Sequence, residues 1–123
     1  MSQESEQKEI DDLRANLKVL ASLEANKKIM AKDNIINIEA SSYIPESIKR
    51  RYRGDSREVT IKKIDSLIVS AIIHTNNNKF DLKDDLVQAK KGISNLVETY
   101  SDCSKTQARL NTILDKIELF SKN

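Results

Sequence analysis

The chain has little of what most architectures use to turn, cross-link or catalyse. Its 123 residues include one Pro, two Gly, one Cys, one His and no Trp. A single Cys excludes an internal disulfide framework. Pro45, Gly54 and Gly92 are too few punctuation marks for a sheet of many short strands. No apolar run approaches the roughly 20 residues that span a bilayer. The acidic start, Met1 to Arg14, lacks the apolar core of a secretory signal. The expectation is an intracellular, cytoplasmic protein without internal repeats or low-complexity tracts.

What is present suits long helices around a modest aliphatic core. Hydrophobic residues make 38% of the chain, charged residues 33% and aromatics 4%. The length is that of one domain, 1-123. Lys, Ile and Asn together supply 40 residues, a bias that AT-rich coding produces in many phages, viruses and microbes.

The expected fold is all-α, with three main helices over about 6-31, 56-75 and 82-119 and a short helix over 45-52. In the first, Ile10, Leu13, Leu17 and Leu20 form one apolar face, and acidic residues at the start and lysines at the end suit the helix dipole. Residues 33-55 form a connecting segment that carries the short basic helix. Within it, the Asn-rich, β-branched stretch after Asp33 is a poor helix former. Pro45 fits a first helical turn, and Gly54 fits a helix end. Asp55, with Glu58 three residues on, resembles a capping box for the second main helix. Seven of the ten residues from Ile64 to Ile73 are large apolar groups or Ala. A helix apolar on most of its circumference is expected at the centre of the fold.

The last segment has the most regular pattern. Leu82, Leu86, Ala89, Ile93, Leu96, Tyr100, Cys103, Gln107, Leu110, Leu114 and Ile117 alternate steps of four and three, and only Gln107 is plainly polar. A continuous helix from Leu82 to Leu119 would be about 57 Å long, against a diameter of roughly 35 Å for a compact domain of this size. It would protrude, and Leu96, Tyr100, Cys103, Leu110, Leu114 and Ile117 would form a self-association seam. The alternative is a break near 101-104, among weak helix formers, which gives a compact four-helix bundle. The unbroken apolar register and the absence of Gly or Pro there favour the continuous helix.

Catalytic and metal-binding constellations are missing from the sequence. His74 ends an apolar helix and suits a dipole contact. Cys103 has no sequence neighbour that would stabilise a thiolate. There is no Cys-x-x-Cys, no His pair, no calcium-loop spacing and no Gly-rich phosphate loop. Neither a catalytic residue nor a metal, cofactor or small-molecule substrate is expected, and the protein is read as non-enzymatic.

Charge is the uneven feature. The net charge is +2 overall, yet residues 49-63 carry +5 and the rest of the chain −3. Four of the six arginines fall at Arg50, Arg51, Arg53 and Arg57, joined by Lys49, Lys62 and Lys63 and interleaved with Tyr52. Arginine forks onto phosphate and carboxylate, so a local excess in a Lys-rich chain points to an anionic partner. The bland alternative is that these cations are solvated or pair with the acidic first helix. Arg53-Gly54-Asp55 spells an adhesion tripeptide but is read as a turn plus a cap. The basic segment lacks the large hydrophobic face of a membrane-surface helix.

The function that follows is a small intracellular helical interaction protein, a regulatory adaptor or inhibitor. It is expected to form a homodimer or higher oligomer through the seam and to bind a protein partner. The alternative is a nucleic-acid-binding protein acting through 49-63. An enzyme built from carboxylates and arginines on facing helices is a third class that no motif supports.

Overall fold

Among the described residues, the three-four spacing of apolar residues is realised as five helices: α1 (Gln3–Ser22), α2 (Glu46–Tyr52), α3 (Arg57–Asn76), α4 (Lys83–Thr99) and α5 (Ser104–Ser121). This is a computed structural model, and it describes residues 3–23, 46–52, 54–77 and 80–122. No strand occurs among the described residues, and the fold is an all-α bundle. The expected extension of the first helix over 24–31, together with Pro45, Tyr43 and most of the connecting segment, lies outside the described residues.

Side-chain pairs fix the helix directions. Glu9 meets His74 while Asn16 meets Tyr52 just ahead of α3, so α1 and α3 run in opposite directions. Gly92 lies against Leu20 and Asn95 bonds Leu23, so α1 and α4 run the same way. Lys90 pairs with Glu118 while Gln107 bonds Val97, which makes α4 and α5 antiparallel. Arg109 faces Glu58 and Lys116 faces Asp65, so α5 lies parallel to α3.

The most extensive interfaces are α1 with α4 and α4 with α5, and those of α3 are thinner. The centre of the fold is therefore α4, which corrects the expectation for α3. Ile61, Ile64, Ile68 and Ala71 of α3 are buried, but Val59, Val69 and Ile73 stay exposed. An apolar circumference does not by itself recruit neighbours, and α3 lies on the side of the bundle where packing is sparse.

The helix expected over 82-119 is broken, and the compact arrangement holds. α4 stops at Thr99, Tyr100 adopts φ −101° and ψ 39°, and the chain reverses through Ser101 and Asp102 to Cys103 at φ −130° and ψ 96°. The residues in the turn favour local hydrogen bonding over helix continuation. Gln107, the polar residue in the stripe, caps the reversal by donating to the Val97 carbonyl at 2.8 Å. The stripe crosses the turn unchanged because both arms of the hairpin face one core. Leu82, Leu86, Ala89, Ile93, Leu96, Leu110 and Ile117 are fully buried. Each large aliphatic side chain there contributes about 1.5–3 kcal/mol of burial.

Two polar details set the helix ends. The cap of α3 is Ser56 rather than Asp55: its hydroxyl accepts from the Val59 N–H at 3.2 Å. Asp55 instead accepts from Lys63. Gly54, at φ +81°, takes the left-handed conformation that lets α2 end and the Asp55 N–H bond the Tyr52 carbonyl.

Candidate functional site

Two of the seven cations in the basic segment, Arg51 and Lys63, are ion-paired within the molecule. Arg51 forms a two-pronged contact with Asp12 of α1, both bonds 2.8 Å, and that carboxylate raises the arginine pKa further above its ordinary value. Lys63 donates to Asp55 and to the Arg51 carbonyl, each at 2.6 Å. The Arg57 guanidinium lies 4.4 Å from the Tyr100 ring centre, a cation–π contact that ties the start of α3 to the α4–α5 turn. Tyr52 is buried, donates to Asn16 at 3.0 Å and has its phenol pKa raised mainly by burial.

Arg50 and Lys62 are exposed and make no ion pair among the described residues. Arg53 and the side chain of Lys49 lie outside the described residues. Of the eight residues of the expected anionic-partner site, the structure thus brings Arg51, Tyr52 and Lys63 together as a clamp holding α2 on α1 and α3.

The residues of the expected self-association seam have a similar fate. Leu96, Leu110 and Ile117 are completely buried and Tyr100 is 3% exposed. Leu114 packs against the same core, and Cys103 sits half-buried at the turn. The overhang that pointed to a partner disappears with the break, and the apolar atoms of this stripe face the interior of their own bundle.

Two of the concavities among the described residues bear on the expected cations. The larger, about 490 Å³, opens between α1, α2 and α3. Leu13, Tyr52, Val59 and Leu67 give it apolar walls, with Lys62 and Glu9 among its charged residues. Its outer lip continues along α3 as Val59, Lys62, Ser66, Val69 and Ile73, which share one helical face at spacings of three and four. Val59 is 42%, Val69 37% and Ile73 53% exposed. The smaller concavity, about 170 Å³, lies between α3 and α5 and is lined by Lys62, Arg109, Lys116 and Asp65 over Ile61 and Ile113.

Cys103 differs from its sequence reading. The Thr106 hydroxyl donates to its sulfur at 3.1 Å. This hydroxyl, the Thr106 N–H and the Arg57 charge hold the thiol below its ordinary range. Thr106, three residues on, corrects the expectation that no sequence neighbour stabilises the thiolate, and Arg57 comes from across the fold in α3. His74 Nε2 lies 3.2 Å from Glu9 Oε1, and its ring meets Phe80 edge-on with centres 6.4 Å apart. Standing in the last turn of α3, where the dipole contact is expected, it also bridges α3 to α1. Among the described residues no group of three His, Cys, Asp or Glu converges, and no helix is long and apolar enough to cross a membrane. Compared with known family models, curated proteins and solved structures, the chain matches none.

Proposed function

We propose that this chain is a small non-enzymatic interaction protein, an adaptor or inhibitor, that recognises a protein partner through the outer face of α3 and the adjoining groove. The supporting observation is the row Val59, Val69 and Ile73, three large aliphatic residues left exposed on one face of a helix whose other side is buried. Exposed aliphatic side chains of this kind, interspersed with Lys62 and Ser66, are surface that a protein partner would cover. An amphipathic helix laid into a groove is the recognition mode that fits its shape.

Self-association belongs to this proposal and moves from the Leu96 to Ile117 stripe to the outer face of α3. Light scattering over a micromolar concentration series tests it on the pure chain. The wild type is expected to gain mass with concentration, and Val69→Asp with Ile73→Asp to stay monomeric at unchanged helicity. A monomer at every concentration removes the second copy as occupant. Affinity capture then tests a foreign protein: a partner retained equally by wild type and double variant rejects this face.

The nucleic-acid reading through 49-63 rests on the exposed Arg50 and Lys62. Fluorescence anisotropy with labelled DNA and RNA at low salt tests it, because phosphate contacts at this segment would make binding steeply salt-dependent.

A further inference from the structure

The parallel pairing of α3 and α5 places cations from two helices around one cleft. Lys62 reaches it from α3, and Arg109 and Lys116 reach it from α5. Two acids offset them. Asp65 lies 2.6 Å from Lys116, a short charge-assisted hydrogen bond, so that pair is matched. Glu58 lies 3.7 Å from Arg109, beyond hydrogen-bond range, and its side chain is 65% exposed. Arg109 makes no hydrogen bond to a described residue, and Lys62 makes no ion pair with one. The cleft thus has one matched cation and two on opposite walls whose donors are unclaimed.

Size and charge together narrow the ligand. At about 170 Å³ the cleft lies below the roughly 300 Å³ at which pockets enclose a drug-sized molecule. It has room for a tetrahedral oxyanion, with the remainder of a larger compound left in solvent. The floor of Ile61 and Ile113 offers no competing acceptor. Thr112 already donates its hydroxyl to the Ala108 carbonyl at 3.0 Å and is not required as a donor. A dianion matches two cations across the cleft better than the single charge of Glu58, whose ion pair with Arg109 is long, at 3.7 Å.

We infer that the α3–α5 cleft binds a phosphoryl group, with Arg109 forking onto two of its oxygens and Lys62 closing from the opposite wall. The site shares only Lys62 with the proposed protein-binding face, and it stands whether or not that face has a partner. Glu58 acts as a competitor that the ligand displaces.

The test is a two-dimensional amide NMR titration of the full chain with inorganic phosphate, sodium chloride holding ionic strength constant. Saturable shifts are expected at residues 61–65 and 109–116, with a dissociation constant on the order of 1 mM or below. Arg109→Gln should weaken binding about tenfold or more, and Arg109→Lys, which keeps the charge and loses the fork, by less. Glu58→Gln should tighten binding by about threefold, since it removes the competing carboxylate. A salt-bridge ladder of purely structural use would not produce that gain. Non-saturating shifts, shifts unaffected by Arg109→Gln, or weaker binding in Glu58→Gln overturn the proposal.

A twelve-nucleotide single strand identifies the source of the phosphate. Binding at the same amides with a steep salt dependence assigns the cleft to a polymer backbone. Phosphate binding without oligonucleotide binding assigns it to a small phosphorylated compound.

Discussion

Among the described residues, helix α1 meets α4 and α3 by opposite means. Against α4 the two backbones touch. A Cβ placed on Gly92 would stand 1.7 Å from the Leu20 carbonyl oxygen, and Asn95 donates to the Leu23 carbonyl at 2.7 Å. Against α3 the contact is thin, and α2 bridges the gap through Tyr52 and the Arg51–Asp12 pair while leaving a groove of about 490 Å³. One side of the helix is closed by the absence of a side chain, the other is propped open by long polar ones. A closed side sets stability, and an open side leaves surface exposed to solvent.

The sharpest way to break this contrast is Gly92→Ala. The methyl would collide with backbone, which cannot rotate away, so α1 and α4 must separate along their whole contact. The expected loss is about 3 kcal/mol or more, at the upper end of overpacking effects, despite the gain of about 1 kcal/mol in helix propensity that Ala brings. Denaturant unfolding followed by circular dichroism measures it. A variant as stable as wild type would mean that the close approach does not exist.

Next in size is Asn95→Ala. It leaves the Leu23 carbonyl without its partner at the buried end of α1. The expected cost is about 1–3 kcal/mol, the penalty for an orphaned buried acceptor plus a small cavity. Hydrogen exchange should show the last turn of α1 opening before the rest of the helix.

These two residues show what was legible in the sequence. The stripe from Leu82 to Ile117 announces helices with an apolar face, but periodicity does not say what covers that face: Leu96, Tyr100, Leu110 and Ile117, expected in a self-association seam, are buried in the chain's own core. It could not announce the reversal at Tyr100 to Cys103, since periodicity is blind to direction. Gly92 in a helix interior and Asn95 beside Leu96 carry no periodic signal, and their roles depend on a backbone 72 residues away in the chain for Asn95. In the basic segment, the alternative of pairing with the acidic first helix holds for Arg51, though the sequence does not say which carboxylate it meets. Sequence counts charges along the chain, whereas Asp12, the partner that neutralises Arg51, lies 39 residues earlier. The α3–α5 cleft escaped notice because Arg109 and Lys116 are ordinary solvent-face cations until α3 is laid beside them.

On the open side the effects should be smaller. Tyr52→Phe removes the hydroxyl that satisfies buried Asn16, with an expected loss of about 1 kcal/mol. Asp12→Asn dissolves an ion pair whose side chains are 42% and 45% exposed, and solvent screening holds its cost below about 1 kcal/mol. A double-mutant cycle between Asp12 and Arg51 measures the coupling directly. If either substitution rivalled Gly92→Ala, the open side would be as tightly packed as the closed one and the contrast would be lost.

The subtlest effect concerns the α4–α5 turn, where Arg57 of the open side reaches Tyr100 and Cys103 of the closed one. The folded thiol has a lowered pKa, so its thiolate should appear at lower pH in the native protein than in the unfolded chain. Native-state iodoacetamide labelling should therefore reach half its maximal rate below the ordinary thiol range. In denaturant the midpoint should return to that range. Because the folded pKa is the lower one, the associated stabilisation is complete above the unfolded thiol pKa and fades as pH falls through the folded value. Thr106→Val should raise the labelling midpoint most, as the hydroxyl is the largest cause of the shift, and Arg57→Gln should raise it less. An equal midpoint in folded and unfolded protein would show that Arg57 and Thr106 do not converge on the sulfur, and that α3 is not tied to the turn through Arg57.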